Sequence, residues 1–83
     1  MSEVKNRVRD YILANFLPGE SPSNLRDDTR MLTSGILDSL AALQLIAFIE
    51  QEFRVELLAA DRIADNLDRL TDIDRLVQAK RAS

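Results

Sequence analysis

The residues of this chain best suited to chemistry are Asp38-Ser39-Leu40, which stand where a glycine turn at Gly35-Ile36-Leu37 runs into a long helix-compatible segment. A serine at the start of a helix presents its hydroxyl to solvent, beside unpaired backbone N–H groups and the positive end of the helix dipole. A phosphodiester formed there is stabilised electrostatically. The same two residue types are preferred helix caps, and for an isolated Asp-Ser pair a capping role is the commoner explanation. The surroundings of the serine weigh on the choice. The chain has no histidine and no cysteine, and no lysine lies between Lys5 and Lys80, so no neighbour activates Ser39 from within. Ser39 is therefore better cast as an acceptor modified by another enzyme than as the nucleophile of its own catalytic cycle. The same two absences remove disulfides, thiolate metal sites and the usual general base, so the chain is expected to be no enzyme and to hold no metal.

Helices must position these residues. Val4, Val8, Tyr11, Ile12 and Phe16 recur at intervals of three and four among Lys5, Asn6, Arg9 and Asp10, the pattern of an amphipathic helix, with Ser2 as its N-cap. Pro18-Gly19 and Ser21-Pro22-Ser23 stop it, and a polar connection runs from Leu17 to about Arg30. A loop this long is uncommon in a small domain unless it packs over the core or serves a function, and Leu25, Met31 and Leu32 are placed to tack it down. The central helix follows Ser39 and carries Leu40, Leu43, Leu45, Ile46, Ala47, Phe48, Ile49 and Phe53. These cover more of its circumference than a surface helix needs, so it is buried on several sides or keeps a face for a partner. Residues 54–58 read as an extended link and residues 59–65 as a short helical turn. Thr71 and Asp74 stand three apart, as in a capping box, before a last helix that ends on Lys80 and Arg81, where its dipole favours cations. Three substantial helices and a short one, with no alternating strand pattern and no repeat, imply a single all-α domain over residues 1–83, a small four-helix bundle.

Composition narrows the partners. A chain of 83 residues with 46% hydrophobic and 30% charged residues is an ordinary globular domain, and at this size it buries only about 60% of its unfolded surface, so stability is modest. Three Phe, one Tyr and no Trp leave few rings to stack on bases, and a net charge of −3 repels phosphate backbones, which makes nucleic acid a poor partner. The charged N-terminal stretch differs from a signal peptide and no segment approaches a membrane span, so a cytoplasmic location is expected.

The sequence from Gly35 to Leu40 resembles the attachment motif of the acyl carrier protein family, taken broadly to include peptidyl, aminoacyl and D-alanyl carriers. Leu43, Leu45, Ile49 and Glu50-Gln51-Glu52-Phe53 resemble that family's second helix, and Asp72-Ile73-Asp74-Arg75-Leu76-Val77 its last, so the likeness covers nearly the whole chain. The resemblance implies that Ser39 carries a covalent 4'-phosphopantetheine arm derived from coenzyme A, whose thiol holds an acyl or aminoacyl group as a thioester. It gives Asp38 the role of orienting the site for the phosphopantetheinyl transferase and its magnesium ion, beside any turn or cap role. Leu40 and Ala47 fall where the family meets partner enzymes, and Ile63 matches a position that guards the arm or touches partners. Leu43, Leu45, Ile49 and Phe53 fall on or near the core, where simple packing is the better reading. Implied partners are the transferase, an acyl- or aminoacyl-loading ligase or transferase, and downstream biosynthetic enzymes, each meeting a monomeric carrier.

The chain departs from the family in one respect. Fatty-acid synthase carriers have acidic residues just after Ser-Leu and three positions on; here those places hold Ala41 and Gln44, and only Glu50 and Glu52 carry charge between Ser39 and Phe53. Recognition is expected to be more apolar and less salt-sensitive, which points away from bulk fatty-acid synthesis. Residues 35–40, together with Asn66-Leu67-Asp68-Arg69-Leu70 before the last helix, resemble stand-alone carriers that serve aminoacyl ligases or specialised pathways. The alternative from another class is a non-catalytic helical interaction domain that pairs through the wide apolar face of the central helix.

Overall fold

The computed structural model describes residues 3–82. Four helices, α1 (Glu3–Phe16), α2 (Ser39–Phe53), α3 (Ala64–Leu67) and α4 (Leu70–Ala82), are joined by loops that contain single 3-10 turns at Pro22–Asn24 and Ala59–Asp61. There is no strand among the described residues. Ser2, the expected cap of α1, lies outside them.

Each long helix contributes one stripe to the core. Helix α1 buries Val4, Val8 and Ile12, each one turn further on, and packs against α4 and α2. From α4 come Leu70, Ile73, Leu76 and Val77, and α2 adds Ala41, Leu45, Ile46, Ile49 and Phe53. The four aromatic rings of the chain meet along the α1–α2 seam. Tyr11 stacks on Phe48 with centroids 4.0 Å apart, while Phe16 meets Tyr11 and Phe53 meets Phe48 edge-on. All four rings are thus engaged with one another.

The long loop is part of the core. Leu25, Met31 and Leu37 are buried and Leu32 is half-buried against them. The Arg9 guanidinium Nε donates to the Leu25 carbonyl at 2.8 Å, and Thr71 donates its N–H and its hydroxyl to the Asp27 carbonyl at 3.2 and 3.3 Å. That last pair removes the expected capping box of α4. The Thr71 hydroxyl is spent on a tertiary partner, Asp74 accepts from Gln78 within the helix at 3.3 Å, and α4 begins at Leu70 instead. Lys80 and Arg81 do end the helix; the Lys80 ammonium lies 2.6 Å from Asp61, and the Arg81 guanidinium sits over the Phe53 ring at 5.3 Å. The expected turn over residues 59–65 is two pieces, Ala59–Asp61 and α3, with Arg62 and Ile63 between them.

Leu43 also departs from its expected place. It was expected near the core but is 61% exposed. At 100° per residue, Ala41, Leu45, Ile49 and Phe53 set the inward direction of α2, and Leu43 points roughly opposite, beside Leu40 and Ala47. Burial of Leu45, Ile49 and Phe53 follows the expectation. The wide apolar circumference of α2 thus divides into a packed face and an outward one.

Two truncations on α2 separate these faces in urea unfolding. Ile49→Ala is expected to lower stability by about 3 kcal/mol through the cavity it leaves, whereas Leu43→Ala changes it by less than about 0.5 kcal/mol.

Candidate functional site

The start of α2 is built from a glycine turn and one capping carboxylate. Gly35 has φ +87, a left-handed conformation that an L side chain adopts only with strain. Its N–H donates to the Leu32 carbonyl at 3.2 Å, the Leu37 N–H donates to the Met31 carbonyl at 2.8 Å, and the Ser34 hydroxyl donates to the Arg30 carbonyl. Asp38 then takes an extended conformation, accepts the Ala41 N–H on Oδ1 at 2.8 Å and accepts the Ala42 N–H on its own carbonyl at 2.9 Å. Asp38 is therefore the N-cap, and Ser39 is the first residue inside the helix.

This arrangement separates two roles that the sequence left open. The capping that could have explained the Asp-Ser pair is done by Asp38. Ser39 is exposed, and its hydroxyl has no hydrogen-bond partner among the described residues. The N–H groups of Ser39 and Leu40 are likewise unpartnered among those residues, so the positive end of α2 faces the space around the hydroxyl. Open grooves flank the site on both sides. One, of about 420 Å³, runs past Asn15 and Phe16 of α1 and Leu40 and Gln44 of α2; the other, of about 480 Å³, is lined by Leu32, Leu37, Ser39 and Ala42.

Down the outward face of α2 lie Leu40, 64% exposed, then Leu43 and Ala47. The two acids of this helix are committed elsewhere. Glu52 pairs with Arg7 of α1; Glu50 accepts the Leu57 N–H at 2.9 Å and faces Arg62 at 3.6 Å. Ile63 is the residue before α3, 48% exposed, and Ile36 and Leu58 are exposed as well. Leu40, Ala47 and Ile63 are thus all at the surface, with Ile63 on a separate segment. The exposure of Ile36 and Leu58 was not foreseen. No period could assign it, since both belong to loops.

Sequence reasoning also missed Asp68, between α3 and α4. It is 2% exposed. Its Oδ1 accepts the N–H groups of Leu32 and Thr33 at 2.8 and 3.0 Å; its Oδ2 accepts the Thr33 hydroxyl at 2.8 Å and the Arg30 guanidinium at 3.2 Å; its carbonyl accepts the Met31 N–H at 2.7 Å. Burial pushes this carboxyl upward, but the Thr33 N–H and hydroxyl, the Leu32 N–H and Arg30 together outweigh it and hold the pKa at about 2. A neighbouring buried acid, Asp72, is held below the usual carboxylate range by the Arg69 guanidinium, which grips it with two hydrogen bonds of 2.8 and 2.9 Å.

Neither a scan against protein-family models nor a search of curated proteins returned a match to this chain.

Acid stability follows from Asp68. Its folded-state pKa lies below the unfolded value, so its contribution, about 2 kcal/mol, is complete above the ordinary carboxylate range. It is lost as the pH falls from 3.8 through about 2. Chemical unfolding measured across that window should show the loss in the native chain, and Asp68→Asn should flatten it.

Proposed function

We propose that this chain is a carrier protein, modified on Ser39 with 4'-phosphopantetheine and shuttling an acyl or aminoacyl thioester between separate enzymes. The observation that carries the reading is the split between cap and acceptor. Asp38 caps α2 by accepting the Ala41 N–H, and the adjacent Ser39 hydroxyl is exposed, without a hydrogen-bond partner among the described residues, and set at the positive end of α2. In the proposed modification the Ser39 oxygen forms a phosphodiester with the phosphopantetheine half of coenzyme A, the nucleotide half leaves, and the hydroxyl proton passes to a base of the transferase. A phosphate there lies beside the unpaired N–H groups of the first turn, which favours the product. The resemblance of residues 35–40 to the carrier attachment motif supports the same assignment, with Asp38 free to orient the site through its exposed side as well as to cap. The carrier itself performs no catalysis.

Its cofactor is the covalent arm, and the open grooves beside Ser39 leave room for an arm on either flank. The thiol that the chain lacks is supplied by that arm. Partners are the transferase, a loading ligase or acyltransferase, and downstream biosynthetic enzymes, in the cytoplasm. No helix among the described residues is long and apolar enough to cross a membrane. Docking through Leu40, Leu43 and Ala47 draws little on charge, because Glu50 and Glu52 already have intramolecular partners. This favours aminoacyl or specialised pathways over bulk fatty-acid synthesis.

The exposed stripe Leu40, Leu43 and Ala47 also suits a second reading, a helical domain that associates through α2. Size-exclusion chromatography separates the two. A monomer supports the carrier, and a dimer that Leu43→Gln dissolves supports the association domain.

Incubation of the purified chain with coenzyme A and a broad-specificity phosphopantetheinyl transferase, followed by intact mass measurement, tests the proposal. The native chain should gain one phosphopantetheine and Ser39→Ala none; a native chain that gains nothing and carries no arm already contradicts it. Affinity for the loading enzyme is expected to change less than roughly threefold between about 0.05 and about 0.5 M salt, measured by titration calorimetry.

A further inference from the structure

Met31 and Leu37 pack the turn that delivers Ser39 into the core, and its hydrogen bonds to the rest of the bundle converge on one residue. Among the described residues, every hydrogen bond that residues 30–37 make outside their own segment ends on Asp68. Two of the anchored residues are also the internal supports of the turn. The Met31 N–H is held by the Asp68 carbonyl, while the Met31 carbonyl receives the Leu37 N–H; the Leu32 N–H is held by the Asp68 carboxylate, while the Leu32 carbonyl receives the Gly35 N–H. Leu37 is buried directly before the Asp38 cap. The route from the carboxylate to the hydroxyl therefore has few links: Asp68 fixes Met31 and Leu32, these fix Gly35 and Leu37, and Leu37 leads into Asp38 and Ser39.

Apolar packing alone does not set this register. Met31 and Leu37 are buried, but aliphatic contacts tolerate small slides that a set of directed hydrogen bonds does not. Asp68 is well suited to the task because its carboxylate takes four donors and, at 2% exposure, has little water to exchange them for. We infer that Asp68 is a positioning residue for the modification of Ser39, holding residues 31–37 so that the hydroxyl is presented in one orientation to the enzyme that modifies it.

This inference rests on the carrier reading and adds to it a residue 29 positions away in sequence that touches neither the arm nor the transferase. If the clamp loosens, only a fraction of molecules present Ser39 correctly. The apparent affinity of the transferase then falls by that fraction, while turnover of the correctly bound complex is preserved. A merely stabilising role predicts no such split.

The test measures steady-state kinetics of phosphopantetheine transfer to the native chain, to Asp68→Asn and to Asp72→Asn, together with backbone amide NMR resonances of Gly35 to Ser39 in the unmodified proteins. Asp72→Asn removes a buried charge that is bonded to Arg69 and makes no hydrogen bond to residues 30–37, and it serves as the control for lost stability. Asp68→Asn is expected to raise KM roughly tenfold with kcat within about twofold, and to shift or broaden the Gly35 to Ser39 amides. Asp72→Asn should do neither. Unchanged KM in Asp68→Asn, or an equal rise in Asp72→Asn, overturns the positioning role. If Asp68→Asn does not fold, Thr33→Val, which removes one of the four donors, carries the same test: a smaller rise in KM supports the role and native kinetics overturn it. A native chain that accepts no arm overturns the carrier reading and this role together, whereas a modified native chain with unaltered Asp68→Asn kinetics overturns only the role of Asp68.

Discussion

A carboxylate removed from water must find donors enough to replace it, and Asp68 finds them in the segment that leads to Ser39. That exchange joins the two halves of the chain. The first part of the connection between α1 and α2 is held by Leu25 and by the bonds of Arg9 and Thr71 to the Leu25 and Asp27 carbonyls; Asp68 fixes its last residues to the α3–α4 junction. The glycine turn, the Asp38 cap and the first turn of α2 then follow in sequence, each resting on the one before. In a domain of this size, where the core is small, a directed cluster of this kind adds to the packing that holds the loop.

The division of labour at the start of α2 follows from the same economy. One residue closes the helix end and the next is left with nothing to do for the fold. Helix α2 repeats the pattern along its length. The Ala41, Leu45, Ile49 and Phe53 side holds the bundle together, and the Leu40, Leu43 and Ala47 side contributes little to it. The helix acids are turned to intramolecular work, Glu52 toward α1 and Glu50 toward the link and Arg62. What remains outward on α2 beyond Ser39 carries no charge before Glu50: Leu40, Leu43 and Ala47, with Gln44 among them.

Much of this was legible before any coordinates. The spacing of Val4, Val8 and Ile12, the helix-compatible run after Ser39 and the cations at Lys80 and Arg81 all describe local physics, and the structure agrees with them. Leu25 and Met31 could be placed because a long loop in a small domain needs apolar anchors. Leu43 was misjudged because α2 is apolar on too many sides for its period to mark the inward face; only packing against α1 and the shared core chooses it. The capping box at Thr71 failed for a related reason, since the hydroxyl had a better partner in Asp27, distant in sequence. Asp68 was invisible on the same grounds. An aspartate between two helices reads as a cap or a solvated charge, and its burial exists only once residues 30–33 fold over it. The exposure of Ser39 and the capping by Asp38 needed coordinates too, because either residue could have served as the cap.

The most direct measurement locates the arm on the protein as cells make it. Trypsin should release a single peptide from Met31 to Arg54, as no lysine or arginine lies between Arg30 and Arg54, and it contains Thr33 and Ser34 besides Ser39. For a carrier, fragmentation of this peptide from the native protein puts a phosphopantetheine, free or acylated, on Ser39. An unmodified peptide from cells with an active transferase, or a modification that maps to Thr33 or Ser34, contradicts it.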